Sequence, residues 1–300
     1  MIQEFQHWID NNLESHSGKT ILITGGNSGI GYYTALALAK VGAHVIIAGR
    51  NTDKIDQAIK SIEAEGLAGR VEAGIIDLAS LDSVRAFATQ FLASHSKLDI
   101  LINNAGVMMP PEGKTEEGFE SQFGINFIGH FALTGLLFNL LQATADSRVV
   151  TLSSIAHRGA QINFENLRLE QPYDQKREYY QSKLADLLFT LELGRRSTAI
   201  GASVLSVACH PGFTKTDLQR HLDPAILEKM TFMEAWKGSL PTLIAATGSD
   251  VVQGDYFGPD GPGEISGFPA IGEIDASARD TAVAEQLWDV GQSATGIIYP

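Results

Sequence analysis

From residue 20 onward, short apolar runs alternate with longer stretches whose apolar positions recur every three or four residues. Six runs predict strands, at 20–24, 44–48, 71–76, 98–102, 148–152 and 203–208, with a seventh near 255–257. Each is short and apolar on both faces, the pattern of a parallel strand covered by helices on two sides. Between them, 32–41, 52–65 and 81–94 are long enough for helices. Strand, helix, strand in repetition predicts right-handed crossovers and a doubly wound, mainly parallel α/β sheet with helices on both faces. Ahead of the first strand, Phe5, Trp8, Ile9 and Leu13 fall at helical spacing. Residues 1–17 therefore read as a helical extension packed on a single domain spanning 18–300. The Gly/Pro-rich stretch 254–263 is a turn cluster within that domain.

Composition narrows the function classes. A 44% hydrophobic and 19% charged chain has ample core and no disorder signature. The net charge of -13 argues against nucleic acid or an anionic membrane as partner, because phosphate neutralisation needs clustered Lys and Arg. The single cysteine, Cys209, excludes an intrachain disulfide and reads as a core thiol. No apolar stretch is expected to span a bilayer. The N-terminus lacks the basic and apolar regions of a signal peptide, so cytoplasmic residence is the expectation.

Chemistry enters at the end of the first strand. Thr24-Gly25-Gly26-Asn27-Ser28-Gly29-Ile30-Gly31 leads straight into a helical pattern. Glycines there leave room for a pyrophosphate, and the helix N-terminus suits an anion. The spacing varies the usual GxGxxG dinucleotide fingerprint. After the second strand stands Gly49-Arg50-Asn51, with no carboxylate until Asp53. An acid would bind ribose hydroxyls and repel a 2′-phosphate, whereas Arg50 can pair with that phosphate. The cofactor expected is NADP(H) in preference to NAD(H), although an ordinary surface arginine has the same sequence.

These stretches, with Asn103-Asn104-Ala105-Gly106, the pair Tyr179 and Lys183, and Pro211-Gly212, resemble the short-chain dehydrogenase/reductase family. Asn126-Phe-Ile-Gly-His-Phe131, Ser153-Ser-Ile-Ala-His157 and Tyr179-Tyr-Gln-Ser-Lys-Leu-Ala185 are similar to its retinol-dehydrogenase-like and WW-domain-oxidoreductase-like branch. The similarity spans roughly 18 to 300. It implies a Rossmann-type fold and reversible oxidoreduction between an alcohol and an aldehyde or ketone.

Carbonyl reduction needs a proton on oxygen as hydride reaches carbon. Tyrosine at its ordinary pKa is too weak an acid, and a neighbouring ammonium lowers that pKa. Tyr179 lies four residues and Tyr180 three residues before Lys183, so helical periodicity permits either. The family's YxxxK motif selects Tyr179, with Lys183 lowering its pKa and binding the nicotinamide ribose. Ser153-Ser154 follows the fifth strand, at the edge of the sheet where ligands bind. The resemblance points to Ser154 as the catalytic hydroxyl, with adjacent Ser153 its rival. Asn126 completes the family's tetrad, and an asparagine in an apolar helical run needs a bonded task in any fold.

The resemblance further implies cofactor contacts from Gly25, Asn27, Ser28, Gly29, Ile30, Gly31, Arg50, Asn51, Asp77, Leu78, Asn103, Ala105, Gly106, Tyr179, Lys183, Pro211, Gly212, Thr214 and Thr216, with Asn103 nearest the cofactor. The same strand-end residues could simply terminate turns. The eight histidines lack metal-ligand spacing, so no metal is expected and His157 and His210 read as structural. The segment 159–176, long for the family, is expected at the pocket mouth. The segment 213–236, with Leu218, Leu222, Ile226, Leu227, Met230, Phe232 and Met233, is expected as an apolar lid over a small-molecule carbonyl or alcohol. Two readings stay open: an NADP(H)-dependent enzyme, with a homo-oligomer among its allowed states, or a catalytically silent NADP(H)-binding scaffold.

Overall fold

The computed structural model describes residues 2–228 and 230–300; Met1, Lys229 and the side chain of Ile226, expected in the lid, lie outside the described residues. Helix α1 (Gln3–Asn12) precedes β1 (Thr20–Thr24), α2 (Gly29–Lys40), β2 (His44–Gly49), α3 (Thr52–Glu63), β3 (Arg70–Ile75), α4 (Leu81–Ser94) and β4 (Ile100–Asn103). A one-turn α5 (Ser121–Phe123), a π-helical segment (Gly124–Ile128) and α6 (Gly129–Ala143) form one continuous rod before β5 (Arg148–Leu152). Then come α7 (Gln175–Ala199), β6 (Leu205–Cys209), α8 (Pro224–Leu227), α9 (Ala235–Thr247), β7 (Tyr256–Pro259), β8 (Pro269–Ile271) and α10 (Thr281–Thr295).

The strands form one sheet in the order β3-β2-β1-β4-β5-β6-β7-β8, parallel throughout except for the β7–β8 pair. Strand order reverses between β1 and β4, which opens a crevice at the carboxyl ends. Alternation divides the core. Leu22 and Leu101 join Phe127, Phe131, Phe189 and Trp288 on the face of α4, α6, α7 and α10. Ile21, Ile23, Ile100 and Ile102 join Phe5 and Trp236 on the opposite face. Helix α1 packs as its spacing predicts, with Phe5 5.5 Å from Tyr33 and 5.6 Å from Trp236, ring to ring.

Three expectations need correction. β3 is an edge strand, exposed at Arg70, Glu72, Ala73 and Ile75, so it is not covered on both faces. β8 is an eighth, antiparallel strand with no counterpart in the predicted set. The rod Ser121–Ala143 has 23 residues and a mean hydropathy of 1.4, enough by length and composition to cross a bilayer, contrary to the expectation. It is mostly buried inside the molecule instead and holds Asn126 and His130 within the core.

Candidate active site

A cavity of about 990 Å³ lies along the carboxyl edge of the sheet, lined by residues after β1, β2, β3, β4, β5 and β6 and by the first turns of α7. Its two ends differ in chemistry.

At one end the glycine turn meets the start of α2. Gly25 and Gly29 adopt φ of +67° and +53°, the left-handed region that side chains rarely adopt. A Cβ on Gly31 would press into the Gly25 carbonyl and come within 2.6 Å of Asn104 Nδ2. Ser28 precedes α2 and makes no side-chain capping bond, so the helix N-terminus is open to an anion. Arg50 and Lys54 line the same end and form no ion pair among the described residues. Asn51 lines it too, but its Oδ1 accepts the Lys54 N–H (2.9 Å) as the cap of α3. Asp77 Oδ1 accepts from Ala79 N–H (3.0 Å), and Leu78 lies beside it. An uncapped helix end, a glycine cradle and two unpaired cations fit a phosphorylated dinucleotide.

At the centre stand Ser154, Tyr179 and Lys183. Ser154 caps the turn after β5, its Oγ accepting the Ala156 N–H (3.1 Å). Its rival Ser153 is 3% exposed and donates to the Lys183 carbonyl (2.7 Å), a bond that ties β5 to α7. Tyr179 is buried, while Tyr180 is partly buried and also lines the cavity. Burial raises the Tyr179 phenol above its ordinary pKa; the Lys183 ammonium and the Ser154 hydroxyl pull it down without cancelling that effect. The expected net lowering is thus reversed in direction, although its proposed agents are in place. Lys183 Nζ donates to the Leu152 carbonyl (2.9 Å) and to Asp186 Oδ2 (2.8 Å). Burial pushes the Asp186 carboxyl up to about 7 against the opposing pull of that ammonium.

Ala105, Gly106, Pro211, Gly212, Thr214 and Thr216 line the cavity with the glycine turn. Asn103 does not. It is 1% exposed, its Nδ2 donates to Thr134 (3.1 Å), and its neighbour Asn104 takes the cavity position. Successive strand residues point to opposite faces, so a one-residue choice exchanges the roles. Asn104 braces the glycine turn through Nδ2 to the Thr24 carbonyl (2.7 Å). Asn126 is likewise absent from the lining. From the π-helical segment it exchanges bonds with Val107 (2.8 and 3.0 Å) and donates to Ser182 Oγ (2.9 Å), joining the loop after β4 to α7.

Sequence reasoning missed His130 and Asp186. His130 Nδ1–H donates to the Asn126 carbonyl (2.8 Å), which leaves Nε2 to accept from Thr24 Oγ1 (2.9 Å). Burial pushes its pKa down to about 4, so the ring is neutral and links the glycine turn to Asn126. His210 and His157 are structural, as read. His210 Nε2 and Arg158 both meet Glu264, at 2.8 and 2.7 Å, and His157 Nδ1 donates to the Ser154 carbonyl (2.6 Å). Cys209 is buried, with its thiol pushed up to about 12, in keeping with a core role. Among the described residues, His44, Glu72 and His95 bring metal-ligand atoms together, but none lines the cavity and Arg70 donates to His44 (3.0 Å).

Away from the glycine turn the wall combines apolar side chains, Met108, Met109, Ile125, Phe213, Leu222 and Phe232, with the charged Asp217, Arg220 and Asp223. Of the expected lid, Leu218 and Met230 also face inward. Leu227 and Met233 do not, and Trp236 belongs to the core against Phe5. The segment 159–176 reaches the mouth through Lys176, next to Gln175 of the same turn, and Tyr173 Oη donates to the Pro110 carbonyl (2.6 Å).

A family model for short chain dehydrogenases matches residues 19–226. Retinol dehydrogenase 14 of Mus musculus is 40% identical over 301 residues, covering 94% of this chain and 87% of that protein. Retinol dehydrogenase 13 of Homo sapiens is 40% identical over 299 residues, covering 94% and 86%. Among solved structures, an uncharacterized protein from Mycobacterium paratuberculosis is 40% identical with a TM-score of 0.82, covering 97% of this chain and 98% of that one. The Pseudomonas aeruginosa RhlG/NADP complex, at 24% identity and a TM-score of 0.66 over 81% of this chain and 94% of that one, is similar in fold.

Proposed function

The chain belongs to the short chain dehydrogenase family, and on that premise we propose that it interconverts an alcohol and an aldehyde or ketone with NADP(H), Tyr179 serving as general acid and base. One observation carries the reading. Tyr179 and Ser154 meet in the same cavity that, a short way along, opens on the uncapped N-terminus of α2.

NADP(H), when bound, supplies or accepts the hydride. The uncapped α2 terminus and the glycine turn would hold its pyrophosphate, and Arg50 with Lys54 its 2′-phosphate. In reduction, the Tyr179 phenol gives its proton to the substrate oxygen, and the Ser154 hydroxyl hydrogen-bonds the same oxygen to fix its position. In oxidation the phenolate takes that proton back. Lys183 supplies positive charge behind the phenol. The apolar side chains in the cavity wall, Met108, Met109, Ile125, Phe213 and Phe232 among them, would favour an apolar substrate. The relatives named retinol dehydrogenase support including a long polyene aldehyde among the candidates.

The test is NADPH oxidation followed across short, branched and long-chain aldehydes and ketones, retinal included. Turnover that disappears in Tyr179→Phe is the expected result. Tight NADPH binding without turnover across the whole panel would favour the silent scaffold and sink the catalytic reading.

A further inference from the structure

The site's ammonium is already engaged from behind. Lys183 and Leu152 both line the cavity, and the Leu152 carbonyl at the end of β5 accepts from the Lys183 Nζ; the second acceptor, Asp186 one helical turn further along α7, is not part of the lining. The carboxylate is 2% exposed and 2.8 Å from the amine. Stability alone gives little reason for such a pair, since apolar side chains of similar volume serve a core as well or better. Its placement next to the reacting phenol gives a reason.

We propose that Asp186 is a positioning residue: its carboxylate holds the Lys183 ammonium against Leu152 and neutralises there the charge that would otherwise act on the Tyr179 phenol. The inference rests on Tyr179 being the general acid. The neighbouring titratable groups are Tyr179 itself, Tyr180 beside it on α7, His130 on α6 and Cys209 on β6. The imidazole is held neutral by burial and the thiol stays protonated, so in the neutral to mildly alkaline range neither adds a charge. Above about pH 7, where Asp186 is ionised, the opposed charges of Lys183 and Asp186 dominate the field at the phenol. A lone ammonium nearby would favour the phenolate, while a closely paired ammonium and carboxylate act together as a dipole whose effect falls off faster with distance. Tyr179 thereby stays a proton donor, and the site is biased toward reduction.

The test needs no substrate. Phenolate absorbance is followed against pH in the cofactor-free protein, with the Tyr179→Phe variant of the same background subtracted to isolate the one tyrosine. In Asp186→Asn, Lys183 keeps the Leu152 carbonyl, and below the pH at which the amine itself loses its proton its charge acts on the phenol without a paired carboxylate. Ionisation of Tyr179 is expected to move about one pH unit lower, roughly tenfold more phenolate at a given pH. Asp186→Glu keeps the charge and should titrate near the parent. If the asparagine variant does not fold, Asp186→Val is read in the same way. A Tyr179 titration that stays put or moves to higher pH overturns the proposal. Failure to find any turnover would instead sink the catalytic reading and leave the titration result standing, so the two failures are distinguishable.

Discussion

A phenol buried next to an ammonium is pulled two ways, and at Tyr179 burial wins. The consequence for catalysis has a definite sign. Reduction uses the protonated phenol, so its rate should hold through neutral pH and fall only under alkaline conditions; oxidation uses the phenolate and should rise over that same alkaline range. Opposite limbs in the pH profiles of the two directions, measured at saturating coenzyme, would bear this out, and parallel profiles would refute it. Removing the proton altogether is a sharper change. Tyr179→Phe should lower turnover by about 10²–10⁴-fold while NADPH affinity, read by fluorescence titration, stays nearly intact. Tyr180→Phe is the control: Tyr180 shares the cavity, but Ser154 faces Tyr179. Loss of activity in Tyr180→Phe instead would move the assignment by one residue.

At the scale of elements, the rod from α5 to α6 is held by polar groups inside an apolar stretch, and one of them is poised to titrate. Glu120 caps α5 through Oε2, which accepts the Phe123 N–H (2.8 Å), while its Oε1 is buried without a hydrogen-bond partner. Burial and the nearby Glu178 carboxylate push its pKa up to about 7 from an ordinary 4.5. The folded state therefore holds this proton more tightly than the unfolded chain. The stability it contributes is complete below the unfolded value and is lost as pH rises through about 7. Glu120→Gln keeps the neutral state at every pH. Its gain over the parent should be negligible near pH 4.5 and reach about 3 kcal/mol near pH 8, measured as the difference in thermal or denaturant unfolding at the two pH values. A gap that does not widen with pH would refute the assignment. Such detail was beyond sequence reading, and the reasons are physical. β1 and β4 were legible because burial on both faces writes an unbroken apolar run. β8 is three residues long, only partly buried and opened by Pro269, so it leaves no period to detect. The π-helical turn that carries Asn126 has the same composition as a regular helix. Asp186, three residues after Lys183, looks like a solvent-exposed ion pair on a helix face until the packing of α7 against β5 and β6 buries both.

For the molecule as a whole, the charge of the chain and that of its cavity have opposite signs. The protein carries a net -13, yet the cavity is lined by Arg50, Lys54, Arg158, Lys176, Lys183 and Arg220 against Asp77, Asp217 and Asp223. Six cations less three anions leave a local excess of three positive charges before pairing. Arg158 is spent on Glu264 and Lys183 on Asp186, which leaves Arg50, Lys54, Lys176 and Arg220 against the three aspartates, with Arg50 and Lys54 at the end with the glycine turn. An anionic ligand is thus repelled by the body and attracted by that end. At low ionic strength both effects reach far; near 0.1 M salt the screening length shrinks to about 10 Å, and contact pairs dominate. NADPH and NADH share the pyrophosphate and differ by the 2′-phosphate, so the ratio of their affinities isolates the contribution of Arg50 and Lys54. NADPH binding should weaken with added salt more steeply than NADH binding. Arg50→Asp should weaken NADPH by at least about tenfold, shift preference toward NADH and flatten the difference between the two salt slopes. Affinities titrated for both coenzymes at several salt concentrations decide it: an unchanged NADPH/NADH ratio in Arg50→Asp would mean that the arginine is only a surface charge, and that selection of the phosphorylated coenzyme lies elsewhere in the cavity.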